Sequence, residues 1–201
     1  MLVTATKLTG TPILSMQAGG AIGYIKEPII DPDGLKVVAF YLEGGVIPRS
    51  GANILDISSI REYSKYGMVI DSIEELIAPG DVVKVDKILE LNFNLIDLKV
   101  ETKKRSKLGK VMDYTIDPES YIVQQIIVKR PVMKSFLDPE LTIHRKEIVE
   151  ITDYKIIIKD EEKELKERAE KEDFVPNFVN PFREPGFAPA EMKNPDDKDT
   201  E

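Results

Sequence analysis

The hydrophobic positions of this chain fall into short runs that are rich in β-branched and aromatic residues and bounded by turn signals. The clearest are Val-Val-Ala-Phe-Tyr at residues 37–41 and Ile-Val-Gln-Gln-Ile-Ile-Val at residues 122–128. Each run follows closely on an Asp-Pro pair, at Asp31 and at Asp117. Runs of this length and composition are typical of β-strands joined by hairpin turns. The pattern therefore predicts a mainly β chain.

One arrangement of apolar, glycine and turn residues occurs twice. Gly23 and Gly109 are each followed eight positions later by Asp-Pro, with an apolar residue before the Gly and before the Asp. Further along, an Ile, a Tyr and a second Ile keep the same spacing in both halves: Ile60, Tyr66 and Ile70, then Ile148, Tyr154 and Ile158. The offsets of 86 and 88 residues nearly agree. We predict two related modules in which Gly23 matches Gly109 and Tyr66 matches Tyr154.

The turn residues of the repeat predict hairpin loops and strand starts. An Asp side chain accepts hydrogen bonds from backbone amides just ahead of it, while Pro presets φ, so both Asp-Pro pairs suit hairpin loops. Gly23 and Gly109 stand at strand starts, where a missing side chain permits a bulge or a close packing approach. Neither Gly opens a helix, so we predict no dinucleotide-binding motif. The core is predicted to hold one set of apolar residues: Val38, Phe40, Ile60, Ile70, Ile126, Val128, Ile148 and Ile158.

The segment between the repeats is short and patterned. Residues 71–77 predict a short helix in which Ser72 is the N-cap and Glu75 completes a capping box. Residues 81–86 predict a strand, and the boundary between the modules is expected at residues 89–94. No long flexible linker separates the modules, so they are free to pack together.

The chain changes character after residue 160. Residues 161–173 predict a charged, exposed helix with acid-to-base pairs at i,i+4 spacing: Glu162 and Lys166, Glu164 and Arg168, Glu167 and Lys171. Residues 174–201 combine Pro and Phe with a polar end, a composition that predicts a flexible, largely disordered tail.

The two repeats resemble the PRC-barrel family, which includes the cytoplasmic domain of the photosynthetic reaction centre H subunit and the C-terminal domain of a bacterial ribosome maturation factor. The resemblance rests on the Gly to Asp-Pro spacing, the β-rich run after it and the closing apolar strand. It implies two small β-barrels in tandem, at residues 1–90 and 91–160, ahead of the charged helix and the tail.

The resemblance also implies a kind of function. Family members are adaptors on RNA-protein or membrane complexes, and the family brings no shared catalytic residues. This chain has a second PRC-like unit where the maturation factor has a different N-terminal domain. It also lacks the transmembrane helix of the H subunit, so the resemblance does not extend to a photosynthetic role.

Composition narrows the functional classes. The absence of Cys excludes a disulfide framework, thiol catalysis and thiolate metal sites, and it is compatible with a reducing compartment. We expect a cytoplasmic protein with neither a signal peptide nor a membrane span. The net charge of −8 is concentrated at the end of the chain, where residues 159–201 hold 14 acidic and 8 basic residues. The nearly neutral body can therefore still carry a local basic patch.

Catalytic chemistry has little support in the sequence. His144 is the single histidine, and we expect it at the surface rather than in a triad or a metal site. The pair Glu74 and Glu75 fits a capping face of the short predicted helix. We find no P-loop and no nucleophile elbow. We predict no catalytic residue, metal or cofactor, and hence no enzyme.

The best candidate surface is the stretch of residues 99–110, with six basic residues against one acidic. In a hairpin, this loop would project several positive charges. The candidate contacts to an anionic partner are Lys103, Lys104, Arg105, Lys107 and Lys110. No aromatic residue interleaves with them, so base stacking is not favoured. A nucleic acid, an acidic protein, a membrane surface, or a solvated turn paired with the acidic tail remain the alternatives.

Aromatic residues of the tail form a second candidate: Phe174, Phe178, Phe182 and Phe187. Such side chains either anchor in a groove of a partner or fold back on the barrels. Together, these features favour a non-catalytic adaptor that binds protein partners through its barrels and its tail. The alternative is a ribosome-maturation-like or RNA-associated assembly factor, and peripheral membrane association stays open.

Overall fold

The computed structural model describes residues 2–47, 51–131 and 139–160. All of them belong to one compact unit of residues 1–160. The predicted charged helix at residues 161–173 and the tail with its four Phe residues lie outside the described residues.

The first half of the described chain contains eight strands and two helices: β1 Val3–Thr4, α1 Ala5–Leu8, β2 Pro12–Ser15, β3 Gly20–Asp31, β4 Lys36–Glu43, β5 Ile54–Asp56, β6 Glu62–Ser64, β7 Gly67–Ile70, β8 Leu76–Ile77 and α2 Val83–Glu90. The second half contains six further strands: β9 Lys99–Thr102, β10 Lys107–Ile116, β11 Val123–Lys129, β12 Glu140–His144, β13 Ile148–Ile151 and β14 Lys155–Ile158. The prediction of a mainly β chain is confirmed.

The strands form two sheets with the same internal order. The first sheet runs β6-β7-β2-β3-β4-β5-β8, and the second runs β13-β14-β9-β10-β11-β12. Both contain one parallel pair at the same place, β2 with β7 and β9 with β14. Among the described residues, neither sheet closes on itself, because its strand order runs from one edge strand to another.

The strand register agrees with the sequence repeat. Gly23 pairs with Ile13, and Gly109 pairs with Val100. On the other side of their strands, Ile13 pairs with Met68 and Val100 pairs with Ile156. Tyr66 and Tyr154 each lie two residues before those partners, in equivalent turns. The sequence repeat is therefore a repeat of strand pairing.

The two Asp-Pro turns form as their chemistry predicts. The Asp31 Oδ1 atom accepts a hydrogen bond from the Asp33 amide at 3.0 Å. The Asp117 carboxylate accepts from the Ser120 hydroxyl at 2.6 Å and from the Glu119 amide at 3.3 Å. These hydrogen bonds lower the pKa of Asp117 below its usual range, the Ser120 bond first.

Two predictions for the connecting segment need correction. Residues 81–86 are not a strand, because Val83–Glu90 form α2. Val85 of this helix is buried against Ile29, Ala39 and Ile54 of the first sheet. Tertiary packing on one helical face outweighs the β-propensity of the valines.

The short helix predicted at residues 71–77 is a single 3₁₀ turn at Ile73–Glu75, followed by β8. The Ser72 side chain caps it as predicted, accepting a hydrogen bond from the Glu74 amide at 3.1 Å. The predicted capping box is not observed, because the Glu75 Oε2 atom is buried without a hydrogen-bond partner among the described residues. At the start of the chain, β1 pairs with β10 of the second sheet.

The predicted core is correct for five of its eight residues. Phe40, Ile70, Ile126, Val128 and Ile158 are buried. The other three are only half-buried: Val38, Ile60 and Ile148. Val38 packs against the cluster around α2. The other two follow equivalent 3₁₀ turns, which end the regular alternation of inward and outward side chains.

The two repeats contact each other through backbone and side-chain hydrogen bonds. The Val37 amide donates to the Tyr121 carbonyl at 2.9 Å, and the Val123 amide donates to the Leu35 carbonyl at 2.8 Å. The Arg145 guanidinium donates to the Gly34 carbonyl at 2.6 Å. The expectation that the modules can pack together is met within residues 1–160.

Candidate functional site

The basic stretch forms the predicted hairpin. Strands β9 and β10 pair antiparallel, and residues 103–106 connect them. The Arg105 amide donates to the Thr102 carbonyl at 2.8 Å, and the Thr102 amide donates to the Ser106 carbonyl at 3.0 Å. Arg105 has a φ of 62°, which is uncommon for a residue with a side chain.

The tip of this hairpin is fixed through its backbone to the strand that follows in the sheet. The Lys103 amide donates to the Ile158 carbonyl at 3.1 Å, and the Lys104 amide donates to the Asp160 carboxylate at 3.0 Å. The Lys103, Lys104 and Arg105 side chains are exposed. The tip thus presents three cations on an ordered turn.

A groove of about 660 Å³ lies along the base of the hairpin. Five basic residues line it: Lys99, Lys107, Lys110, Lys129 and Arg130. Its apolar lining comes from Ile96, Val100, Val111, Met112 and Pro131. Two acidic residues, Asp97 and Glu101, also line it, and Glu101 is held 3.6 Å from the Lys155 ammonium. The lining is therefore mainly basic and apolar.

Three of the groove lysines form a row across adjacent strands. Lys110 of β10 is the direct register partner of Lys99 in β9 on one side and of Lys129 in β11 on the other. Lys99 is in turn the register partner of Lys155 in β14. Directly paired residues lie on one face of a sheet, about 5 Å apart. We call Lys99, Lys110, Lys129 and Lys155 the lysine row.

Like charges directly opposite each other destabilise a sheet. The direct pairing of Lys110 with Lys99 and Lys129 therefore opposes folding, whereas Lys155 is ion-paired with Glu101. The first repeat shows that the fold does not need the lysine row. The strand pairings place four residues at the equivalent positions of the first sheet: Pro12, Tyr24, Glu43 and Gly67. None of these is basic. The lysine row is therefore present in the second repeat alone.

The five predicted contact residues divide between two places. Lys107 and Lys110 line the groove, whereas Lys103, Lys104 and Arg105 occupy the tip. Sequence reasoning missed Lys129, Arg130 and Lys155, because they lie 19 or more residues from Lys110 along the chain. The predicted tail anchors Phe174, Phe178, Phe182 and Phe187 lie outside the described residues.

His144, the single histidine, has a structural partner. The His144 Nδ1 atom accepts a hydrogen bond from the Lys146 amide at 3.3 Å and so caps the 3₁₀ turn Arg145–Glu147. Asp56 caps the equivalent turn in the first repeat, accepting from the Ser58 amide at 2.7 Å. Among the described residues, no group of three or more His, Cys, Asp or Glu side chains is placed to hold a metal ion.

None of the helices in the described part of the chain has the length and apolar character needed to cross a membrane. A comparison of the sequence with models of known protein families gives no match, and a comparison with curated proteins gives none either.

Proposed function

We propose that this protein is a non-catalytic adaptor that binds an acidic segment of a partner protein along the lysine row. The observation that carries the proposal is the row itself, three of whose lysines line the groove. An extended chain with carboxylates at regular intervals would neutralise the repulsion between them. Complementary charge also favours encounter and sets the register of the partner.

The apolar lining supports a protein partner over a nucleic acid. Met112 keeps 42% of its surface exposed at the groove, beside the half-buried Ile96. Apolar pockets between cations suit a peptide that carries both acidic and aliphatic side chains. Sequence-tolerant nucleic-acid binding depends on aromatic side chains for base stacking, and no aromatic among the described residues lines this groove.

We also propose that each sheet represents a PRC-barrel-like module, in tandem, as the sequence resemblance implies. Support comes from the shared strand order of the two sheets and the matching positions of Gly23 and Gly109. In this view, the first repeat is the module without a lysine row. The second repeat carries the lysine row, which binds the partner.

Replacing Lys99, Lys110 and Lys129 together by Gln is expected to weaken binding of an acidic, apolar peptide at least tenfold. Charge-assisted contacts are worth about 1.5–3 kcal/mol each, although exposure to water reduces that value. The measurement is fluorescence anisotropy with a labelled 12-residue peptide of alternating Asp and Leu. The matched control replaces Lys103, Lys104 and Arg105 by Gln, which removes the same charge from the tip and is expected to cost less than about threefold.

The same row variant is expected to melt at the same temperature as the unaltered protein or higher, because like-charge repulsion is removed. Equal peptide affinity for the row variant and the unaltered protein would contradict the proposal. Binding of a 12-residue oligouridylate more tightly than the peptide would instead favour the RNA-associated assembly factor. Its affinity would then fall with salt with a log-log slope of about −0.7 for each phosphate neutralised.

A further inference from the structure

The two sheets differ at one edge. In the first repeat, β5 pairs with β4 on one side and with β8 on the other, where Leu55 lies opposite Leu76. Strand β12 is the equivalent of β5, because each ends at the residue that caps an equivalent 3₁₀ turn, Asp56 or His144. Among the described residues, β12 pairs with β11 alone. Its outer side is therefore an open sheet edge where the first repeat has a further strand.

The backbone groups at this edge follow from the β11–β12 ladder. The Arg130 amide donates to the Pro139 carbonyl at 2.9 Å. Because hydrogen-bonded positions alternate along an antiparallel pair, the backbone groups of Leu141 and Ile143 point to β11. Glu140 and Thr142 therefore each offer an N–H and a carbonyl to a further strand. His144 offers its N–H, since its carbonyl begins the 3₁₀ turn.

The sequence of β12, Glu-Leu-Thr-Ile-His, is self-complementary in an antiparallel pair. When two copies of β12 pair about Thr142, the two Thr142 residues lie opposite each other. Glu140 of each copy then lies opposite His144 of the other. On the core-facing side, Leu141 lies opposite Ile143, and both are buried within their own sheet. Pairs of Thr with Thr and of an acidic with a basic residue are among those that stabilise neighbouring strands.

The ring of His144 has the hydrogen-bonding pattern that this pairing needs. Its Nδ1 atom accepts a hydrogen bond from the Lys146 amide at 3.3 Å, so the proton of the neutral ring lies on Nε2. The Nε2–H group is then a donor for the carboxylate of an opposing Glu140. Glu140 is exposed, and within its own sheet it lies opposite Lys129. In a pair of copies, each Glu140 carboxylate would therefore lie between two donors.

We propose that two copies of this chain form a symmetric dimer by antiparallel pairing of β12 with β12. The second sheets of the two copies then form one continuous sheet across a twofold axis at Thr142. A twofold axis makes every contact occur twice, so a single self-complementary strand is sufficient. Strand β12 contributes no residue to the lining of the groove at the lysine row. This interface therefore goes beyond the adaptor function.

Sedimentation equilibrium of the full chain tests the dimer. We expect the mean mass to rise from one chain towards two between about 10 µM and about 1 mM, because an edge pairing of short strands is a small interface. Thr142→Pro is expected to weaken association at least tenfold, since it removes the outward N–H at the twofold axis and spares the hydrogen bonds to β11. The matched control is Thr142→Val, which keeps the N–H and the branched shape and should associate like the unaltered protein. Circular dichroism melts check that both variants stay folded.

Two complementary variants test the register and do not depend on proline. His144→Asp supplies the cap that Asp56 provides in the first repeat, yet it places a carboxylate opposite Glu140 of the other copy. Glu140→Lys places an ammonium opposite the His144 ring. Each variant alone is expected to associate at least tenfold more weakly than the unaltered protein. An equal mixture of the two should regain its affinity to within about threefold, because every acidic position then faces a donor.

Three results would each overturn the proposal. They are a mass of one chain at every concentration, a dimer whose affinity Thr142→Pro leaves unchanged, and a mixture of His144→Asp and Glu140→Lys that associates no better than its components. Slow hydrogen exchange of the Thr142 amide in a monomeric protein would assign the edge to another segment of the same chain and would also overturn it. If Thr142→Pro lowers the melting temperature, the mixture decides.

Discussion

Replacing Phe40 by Ala is expected to lower the free energy of unfolding by about 3–5 kcal/mol, the cost of removing a large buried aromatic side chain. Phe40 lies in β4 of the first sheet and is fully buried. Its ring packs edge to face against Tyr121 of the second repeat, with centroids 6.1 Å apart. Such pairs add about 0.5–1.5 kcal/mol to area burial. The substitution therefore weakens both repeats and the contact between them.

Differential scanning calorimetry measures this effect. We expect one transition for residues 1–160 in the unaltered protein, and one transition at a clearly lower temperature in the variant. Tyr66→Ala is a matched control, because Tyr66 keeps 70% of its surface exposed and its loss should cost less than about 1 kcal/mol. Two separate transitions, only one of which moves, would show that the repeats unfold independently and would contradict this account.

Replacing Gly109 by Ala is expected to cost roughly 2–4 kcal/mol through backbone strain and overpacking. Gly109 has a φ of 150°, and a Cβ atom built there would lie 2.0 Å from the Lys129 carbonyl oxygen. A backbone atom cannot move aside as a side-chain end does. The strands β10 and β11 would have to separate at the lysine row, so peptide binding should weaken as well.

Urea denaturation followed by circular dichroism gives the loss of stability directly. Gly20→Ala is the control, because Gly20 lies in β3 with a negative φ and open space around its Cβ position. It should change stability by less than about 1 kcal/mol. If Gly109→Ala were as stable as the Gly20 variant, the close approach of β10 and β11 would be wrong.

The elements that the sequence predicts best depend on local chemistry. The Asp-Pro turns, the Ser72 cap and the hairpin between β9 and β10 are each specified within about ten residues. The repeat could also be predicted from the sequence, because the same spacing of Gly, Asp-Pro and apolar residues accompanies the same strand pairing in both halves. Such signals need no knowledge of distant contacts.

The helix α2 shows where prediction of secondary structure from local propensity fails. The valines at 82, 83 and 85 favour a strand by propensity, yet the segment is helical. Val85 is buried against the first sheet, and Val82, Ile88 and Leu89 pack around the same cluster. Their spacing of three and four residues fits one helical face. That face can be buried only when the first sheet has formed and packs against it.

The candidate site depends on strand register, which the sequence does not display. Lys99, Lys110, Lys129 and Lys155 are spread over more than fifty positions of the chain and become neighbours only through three strand pairings. The cluster of basic residues at 103–107 along the sequence predicts a binding surface at the hairpin tip instead. A one-residue slip in any strand would move its lysine to the other face.

The most direct test of the adaptor proposal is a map of amide chemical shifts for the ¹⁵N-labelled full chain during titration with the Asp-Leu peptide. We predict shifts concentrated in β9, β10 and β11 around Val100, Val111 and Val128, which flank the lysine row. The equivalent amides of the first sheet, at Ile13 and Ile25, should not shift. Shifts confined to residues 103–105, or spread equally over both sheets, would contradict the proposal that the lysine row is the binding surface.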